Sequence, residues 1–450
     1  MTELSLDVRL DGFAEPAGTL VRTGQGALTF AYTPAHVARA DALPLSLSLP
    51  LTDEPYGDIV TRAFFDNLLQ EREGALGEVM AREGLARDDI AGLLLHLGKD
   101  CPGALSVLAA GAPAVKVPGD FATDYRALSD KRLTAIAAAL REHRRLPAGT
   151  LDPSPLAGVQ SKLALTRLPD GRLAEPIPGT GAPTTHILKV PDRDRPRDAA
   201  YEAATLDLSR ALGFETSEAA VVEIGEFDVL LVRRFDRALD QQGRVVRLHQ
   251  EDFAQALGLP AALKYERRGT SDRRFDVAAI RKVLDATTNP IDERDRFIRA
   301  TLFDLMTGNV DGHAKNFALL HIARDRIRVA PRYDLLPTRL DPNLTDELAF
   351  KIGAAGTLAA ITRADFDAFL ATLGVRSAAA RRRIGERHAR SLADGLSAAL
   401  EELTRKGMKR FADLIAANLR QLLPVLDAAI PEAAQERDAF VGRGGGWLTS

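Results

Sequence analysis

Five polar side chains fall within eight positions of the stretch GNVDGHAKNFALL, and an apolar run follows them at once. The five are Asn309, Asp311, His313, Lys315 and Asn316. Side chains this polar are poor material for a packed core, so they indicate a reactive site or a surface turn. Three interpretations are open at this point: a metal hydrolase, a phosphotransferase, and a polar turn between a helix and a strand.

A metal hydrolase would use Asp311 and His313 as ligands, with His249, His321 or His388 adding a third. The sequence contains no H-E-x-x-H pair, and no second histidine lies within helical reach of His313. These absences disfavour a dedicated zinc site. For an arbitrary sequence, a polar turn formed by Asn309 and Asp311 would be the first interpretation. Three further features favour phosphoryl transfer instead.

The first feature is that Asp311 and Asn316 have the spacing D-x-x-x-x-N, which is the spacing in the catalytic loop of protein kinases. In that loop the aspartate accepts the proton of the attacking hydroxyl and the asparagine holds Mg²⁺. The second feature is a predicted hairpin after the loop that ends in Tyr333-Asp334 and returns a carboxylate towards it. A hard cation requires such an additional oxygen ligand.

The third feature is a lysine in an apolar strand, Lys189 in THILKVP. The alternative interpretation is that Lys189 belongs to an edge strand and faces water. In a phosphotransferase it would bind the α- and β-phosphates, and Glu202 of the next helix would be its partner. The order Lys, Glu, Asp, Asn, Asp along the chain is more specific than any one of these signals.

With these residues in place, the sequence resembles the HipA-like serine/threonine kinases, the toxins of bacterial type II toxin–antitoxin pairs. The matching segments are GVQSKLAL (158–165), THILKVP (185–191), VRRFDR (232–237), LHQEDFAQALGLPAALKYE (248–266), NVDGHAKNF (309–317) and PRYDLLPT (331–338), with GKDCPGAL (98–105), GTLVRTG and LSLSLPL nearer the N-terminus. The resemblance covers nearly the whole chain.

The resemblance implies ATP and Mg²⁺ as cofactors and assigns the catalytic and metal-binding roles. Asp311 would be the catalytic base, and Asn316 and Asp334 would hold Mg²⁺. Lys315 would neutralise charge on the transferred phosphoryl group, and His313 would orient the loop.

The nucleotide-binding roles are implied in the same way. Lys189 would bind the ATP phosphates, and Gly158 and Lys162 would belong to a flap over them. Backbone groups from Arg233 to Phe235 would contact adenine, with Asp236 near the ribose. QEDFAQALG and KYE have no chemistry that their spacing reveals, so we assign them to the shape of the cleft or of the protein-substrate surface.

One departure from the family pattern concerns autophosphorylation of a flap serine. Pro155 stands at the position of that serine. Ser154 is the candidate substitute, with Ser161 as a second, and self-inactivation by this route is in doubt.

The elements predicted around these residues form an α+β, two-lobed, protein-kinase-like fold. Short strands at 3–33 predict a small antiparallel sheet, and strands around one helix predict a mixed α/β N-terminal lobe. From residue 248 the pattern is mainly helical, which predicts a C-terminal lobe and a ligand cleft beside it. The predicted domains are 1–110, 111–240 and 241–450, with a loop-rich boundary at 101–120.

Composition limits the partners and the compartment. The 450 residues carry a net charge of −3, so no global charge points to nucleic acid or to an anionic membrane. The single cysteine, Cys101, and the absence of a signal peptide or long apolar run predict a cytoplasmic protein.

The resemblance implies a helix-turn-helix, HipB-like antitoxin as partner and a translation protein, such as an aminoacyl-tRNA synthetase, as substrate. DNA contact would come mainly from the antitoxin. The basic runs at 381–390 and 141–145 are interpreted as solvated helix faces. Two alternatives stay open: a catalytically silent antitoxin-binding corepressor and a small-molecule phosphotransferase.

Overall fold

The computed structural model describes residues 2–69, 73–144, 146–147, 161–438 and 440. The chain divides into two compact units. Unit 1 comprises Met1–Ala200, Ser217–Ala262 and Ala318–Ala330, and unit 2 comprises Tyr201–Thr216, Leu263–Phe317 and Pro331–Ser450. Because both units are assembled from separated segments, the three contiguous domains predicted from the sequence stay a prediction.

The strands and helices are numbered in chain order. The strands are β1 (Leu4–Leu10), β2 (Gly18–Arg22), β3 (Leu28–Tyr32), β4 (Leu105–Ala109), β5 (Tyr125–Ala127), β6 (Lys162–Arg167), β7 (Leu173–Pro176), β8 (His186–Lys189), β9 (Ala219–Ile224), β10 (Phe227–Arg233), β11 (Arg237–Leu239), β12 (Val245–Arg247), β13 (His249–Asp252), β14 (Ala318–Ala323), β15 (Arg326–Val329), β16 (Glu347–Ile352) and β17 (Ala355–Thr357). The helices are α1 (Pro34–Val37), α2 (Asp58–Asp66), α3 (Glu73–Glu83), α4 (Ile90–Leu97), α5 (Asp130–His143), α6 (Asp198–Ala211), α7 (Phe253–Ala256), α8 (Val277–Asp285), α9 (Pro290–Thr307), α10 (Arg363–Thr372), α11 (Ala378–Arg405), α12 (Lys409–Leu422) and α13 (Glu432–Gln435).

The N-terminal strands form an antiparallel sheet in the order β3-β2-β1-β4. Leu6, Val8 and Leu10 of β1 are buried in alternation with less buried neighbours, as the two-residue repeat of a strand requires. The small antiparallel sheet predicted at 3–33 is confirmed. Its fourth strand was missed, because β4 falls in the Pro- and Gly-rich stretch that the sequence predicts as a loop.

A second antiparallel sheet of unit 1 has the order β5-β7-β6-β8-β10-β9. Helix α5 packs on it through Leu133, Ile136 and Leu140, which share a core cluster with Leu188 and Val229. The spacing of three and four residues places those three side chains on one face of the helix. The sheet gives Lys162 and Lys189 their positions at the ends of β6 and β8.

The motif HQEDFAQALG holds unit 1 together from inside. Glu251 is fully buried and accepts hydrogen bonds from the Ser46 hydroxyl at 2.5 Å, the Leu47 N–H at 3.0 Å and His321 Nε2 at 2.8 Å. Asp252 and Gln255 form a reciprocal capping box at the start of α7. The motif therefore joins the N-terminal segment to the β14–β15 hairpin by buried polar contacts.

Unit 2 is mainly helical, with one small hairpin of β16 and β17. Its longest helix, α11, begins at the N-cap Ser377 and buries Leu392, Leu396 and Leu400 at a spacing of four residues. The predicted hairpin at NFALLHI and RIRVAPRYD is confirmed as β14 and β15, whereas the β16–β17 hairpin was not predicted. Within the described ranges, no helix has the length and apolar character that a bilayer crossing requires.

We predict that Glu251→Ala lowers the free energy of unfolding by about 3 kcal/mol or more, because three buried donors lose their acceptor. Urea unfolding followed by circular dichroism measures the change. The matched control is Glu223→Ala, at an exposed position of β9, which is expected to change stability by less than about 0.5 kcal/mol. Equal effects of the two substitutions would contradict the role given to Glu251.

Candidate functional site

The loop that carries the polar cluster begins where α9 ends at Gly308. Gly308 has a φ of 80° and its N–H donates to the carbonyl of Asp304, which closes the helix with a left-handed residue. A Cβ at this position would lie 2.8 Å from the Leu414 side chain. Glycine is therefore required both by its backbone conformation and by the close approach of α12.

Hydrogen bonds inside the loop bring Asp311 and Asn316 together. The side-chain amide of Asn316 donates to the carbonyl of Asp311 at 2.9 Å, and the His313 N–H donates to the same carbonyl at 2.7 Å. The 3₁₀ turn Ala314–Asn316 brings the chain back after His313. The five-residue spacing thus corresponds to a closed local turn, and His313 lies within it.

Tyr265 of the KYE motif contacts the carboxylate of Asp311. Its phenol O–H donates to Asp311 Oδ1 at 2.7 Å. The N–H of Ala314 donates to the carbonyl of Lys264 at 3.1 Å, so backbone contacts also join KYE to the loop. The sequence alone gives KYE no chemical role, and no local spacing could have supplied one, because Tyr265 and Asp311 are 46 residues apart.

The segment PRYD lies against the same loop. The phenol of Tyr333 donates to the carbonyl of Lys315 at 2.8 Å. Asp334 has a φ of 57°, an uncommon conformation for a residue other than glycine. Burial raises the pKa of Asp311, the Tyr265 hydrogen bond lowers it, and the Asp334 carboxylate raises it, with the net pKa above its usual value. Asp334 is therefore near enough to repel Asp311 electrostatically.

Asp304, which the sequence analysis did not single out, connects the two segments. Its Oδ1 accepts from Arg332 Nη2 at 2.5 Å and from Asn309 Nδ2 at 3.2 Å. Arg332 also stacks on the rings of Phe214 and Phe303, at 4.9 and 4.7 Å. One buried carboxylate thus holds both the start of the polar loop and the residue two positions before Asp334.

The side-chain oxygens of Asn316 and Asp334 are of the chemical type that Mg²⁺ binds, and their role as its ligands stays a prediction. The Asn316 side chain is held by the hydrogen bond from its amide nitrogen to the carbonyl of Asp311. Its carboxamide oxygen is therefore the atom that could bind a metal ion. Carboxylate and carboxamide oxygens are what Mg²⁺ prefers, and it keeps several waters in addition. Among the described residues, no group of three or more His, Cys, Asp or Glu side chains is arranged to hold a metal. His321 instead bonds Glu251, and His388 bonds Asp295.

Lys162 and Lys189 are directly opposite each other in the antiparallel pair of β6 and β8. Residues opposite each other in such a pair project from the same face of the sheet. Lys189 is buried and Lys162 is partly buried. The alternative position of Lys189 in an edge strand is excluded, since β8 lies between β6 and β10.

Asp236, the predicted ribose contact, makes several hydrogen bonds and ion pairs within unit 1. Asp236 is buried and accepts from Arg234 at 2.9 and 3.0 Å, from the Gly103 N–H at 2.8 Å, and forms an ion pair with Arg237 at 2.9 Å. Burial alone would raise the pKa of Asp236, but Arg234 and Arg237 hold it well below the usual range. Both oxygens are engaged within unit 1, and the ribose role of Asp236 stays a prediction.

The neighbouring residues share this structural network. The Arg233 N–H donates to the carbonyl of Glu218, which makes it part of the sheet. In GKDCPGAL, the buried Asp100 pairs with Lys116 at 3.0 Å and with Arg247 at 3.1 Å. The segments around Gly103 and Arg233 to Arg237 are therefore connected by buried charges within unit 1.

The remaining predicted positions lie outside the described residues or stay predictions. Ser154, Pro155 and Gly158 lie outside the described residues. Glu202 belongs to unit 2 and Lys189 to unit 1, so their pairing stays a prediction. Lys315 is buried in the loop, and its proposed electrostatic role is likewise a prediction.

Comparison with known proteins places the chain in the HipA family. Residues 154–400 match the HipA-like C-terminal domain and residues 6–108 match the HipA N-terminal domain. The chain is 34% identical to a putative kinase, Y4mE, of Sinorhizobium fredii over 384 residues, which cover 85% of this chain and 89% of the relative. It is 28% identical to the serine/threonine-protein kinase toxin HipA of Shewanella oneidensis over 322 residues, 69% of this chain and 70% of that one.

A solved structure shows the same mixed α/β fold. It is the Shewanella oneidensis complex of HipA, HipB and operator DNA, whose matched chain has a TM-score of 0.75 and 23% identity. The match covers 96% of this chain and 100% of the other. The resemblance stated from the sequence is thereby confirmed at the level of the family.

We predict that Asp304→Ala lowers the free energy of unfolding by about 3 to 5 kcal/mol, because Arg332 loses its buried counter-charge. Urea unfolding provides the measurement. Asp295→Ala on the same helix is the control, since Asp295 is more exposed and pairs with Arg387 and His388 near the surface; it should cost less than about 1 kcal/mol. Equal costs for Asp304 and Asp295 would contradict the role of Asp304.

Proposed function

We propose that the chain is an ATP- and Mg²⁺-dependent serine/threonine protein kinase and the toxin of a toxin–antitoxin pair. The observation that carries the proposal is the assembly in unit 2 of Asp311, Asn316 and Asp334 by short hydrogen bonds and shared anchoring. A base and two oxygen ligands are the minimum that phosphoryl transfer to a hydroxyl requires from a protein. The names of the relatives, which include kinases, support the same class of reaction.

Each residue of the candidate site has one role in the proposed phosphoryl transfer. Asp311 accepts the proton of the acceptor serine or threonine hydroxyl as its oxygen attacks the γ-phosphorus, and ADP leaves. Asn316 and Asp334 hold Mg²⁺, which neutralises phosphate charge when it is bound. Lys315 stabilises the transferred group by its charge.

The nucleotide side of the proposal rests on unit 1. Lys162 and Lys189 bind the phosphates, and their directly opposed positions in β6 and β8 place them on one face of the sheet. Gly158 belongs to the flap and the segment from Arg233 to Phe235 to the adenine contact, as the family resemblance implies. The pairing of Glu202 with Lys189 stays a prediction from the sequence. The two-lobed kinase architecture is part of the proposal.

We predict that Asp311→Asn reduces transfer from [γ-³²P]ATP to protein by about 10² to 10⁴-fold, because the general base is lost. The assay uses a desalted extract of the source bacterium with Mg²⁺ as the acceptor mixture. Asp334→Asn should lose transfer through weaker Mg²⁺ binding, and this loss should be partly reversed at high Mg²⁺. Asp394→Asn, at an exposed position of α11, is the control and should retain full activity.

Two outcomes of this assay would exclude the proposed chemistry. A wild-type protein that binds ATP but labels no protein indicates either a silent corepressor or a small-molecule phosphotransferase, and ADP release in an extract that has not been desalted separates these two. Equal labelling by wild type and Asp311→Asn excludes the assigned base.

The biological setting of the proposal is growth arrest in the cytoplasm. The protein substrate is a translation protein such as an aminoacyl-tRNA synthetase, and the inhibitor is a helix-turn-helix, HipB-like antitoxin that carries most of the DNA contact. The basic run at 381–390 supports this division, because Arg387 pairs with Asp295 and Arg390 with Glu386. These partners neutralise charges that direct DNA binding would require.

We predict that induced expression of the chain alone arrests growth and that co-expression of a neighbouring helix-turn-helix gene restores it. Colony counts after induction provide the measurement. Asp311→Asn should be non-toxic and should still co-purify with the antitoxin. Arrest by Asp311→Asn as strong as by wild type would show that toxicity does not depend on phosphoryl transfer.

A further inference from the structure

The one side chain with a hydrogen bond to the Asp311 carboxylate in the described part of the chain is Tyr265. Its phenol O–H donates to Oδ1 at 2.7 Å. A proton-accepting carboxylate has two equivalent oxygens, and a neighbouring donor makes them different. The Tyr265 phenol donates a hydrogen bond to Oδ1, so Oδ2 is the oxygen that can accept the proton of an incoming hydroxyl.

Contacts on several sides hold the Tyr265 ring. The guanidinium carbon of Arg267 lies 4.1 Å from the ring centroid, which is a close cation–π contact. Arg268 and Lys264 lie at 5.6 Å. The His313 ring meets Tyr265 edge to face at 5.1 Å, with an interplanar angle of 81°.

Arg267 is itself held by the β16–β17 hairpin. It forms an ion pair with Glu347 at 3.3 Å and a long hydrogen bond to the carbonyl of Leu348 at 3.5 Å. The neighbouring Glu266 accepts from the Lys351 N–H at 2.6 Å. The KYE segment is thus fixed against the hairpin on one side and against the polar loop on the other.

A core contact alone would not need this arrangement. The ring is only partly buried, and its hydroxyl points to a carboxylate rather than to a backbone carbonyl. Tyr333 provides the contrast, because its phenol donates to the carbonyl of Lys315 and joins two segments of backbone. A rigid donor that contacts the reacting group directly is suited to orienting it.

We propose that Tyr265 is a positioning residue for phosphoryl transfer: by donating to Oδ1 it turns Oδ2 of Asp311 towards the acceptor hydroxyl. This inference rests on the proposed kinase function and adds a residue to its site. In the reaction, the proton of the serine or threonine hydroxyl moves to Oδ2. The hydroxyl oxygen bonds to the γ-phosphorus, the bond from that phosphorus to the β,γ-bridging oxygen breaks, and ADP leaves.

Tyr265→Phe tests the proposal because it removes one oxygen and retains the ring, its cation contacts and its packing on His313. Orientation matters only in the transfer step, so the rate at saturating ATP should fall by about 10- to 100-fold, as expected for a lost hydrogen bond to a charged group. The KM for ATP should stay within about twofold of wild type. Transfer from [γ-³²P]ATP to proteins of a desalted extract of the source bacterium measures both.

The matched control is Tyr125→Phe, which removes a buried phenol that donates to the carbonyl of Pro183 at 2.8 Å. It should lower the melting temperature and leave the transfer rate unchanged, the reverse of Tyr265→Phe. Arg267→Met provides a second test, because it removes the closest cation from the ring while the phenol remains. An intermediate loss of rate with an unchanged KM for ATP is expected.

Three results would overturn the proposal. If Tyr265→Phe transfers within twofold of the wild-type rate, the hydrogen bond does not contribute. If it loses rate, affinity for ATP and melting temperature together, Tyr265 is structural. If the wild type itself transfers no phosphate, the kinase function fails, and this result is distinct because it appears before any variant is compared.

Discussion

The Asp304 carboxylate is the contact on which the candidate site depends, because it holds two segments that are distant in sequence. Arg332 binds it two residues before Asp334, and Asn309 binds it two residues before Asp311. The position is costly for a charge: burial raises the pKa of Asp304 more than Arg332 and Asn309 lower it. Desolvation makes such a charge costly to bury, whereas its removal leaves Arg332 without its partner.

Further contacts fix the positions of the two segments that Asp304 holds. Gly308 lets α9 end in close contact with α12, and the Asn316 amide closes the loop on Asp311. Tyr333 joins the two segments again through the Lys315 carbonyl. Each contact is weak alone, but together they restrict the few groups that phosphoryl transfer requires, and positioning is the main contribution a protein makes to this chemistry.

Unit 1 uses buried polar groups in the same way for a different purpose. Glu251 connects the N-terminal segment to the β14–β15 hairpin, and Asp236 connects Gly103 to the end of β10. Motifs that the sequence shows as prominent, QEDFAQALG and GKDCPGAL, therefore have structural roles. A prominent polar motif is as consistent with a buried network as with a site, and only its contacts distinguish the two.

The sequence by itself determined the features that depend on near neighbours. These include the spacing of five residues between Asp311 and Asn316, the alternation of β1, the β14–β15 hairpin and the family. Only the tertiary structure decided which polar residues meet: Tyr265 with Asp311, 46 positions apart, and Ser46 with Glu251, 205 positions apart. The reason is physical, because local spacing fixes which face of an element a side chain occupies. Its partner across the fold depends on how whole elements pack.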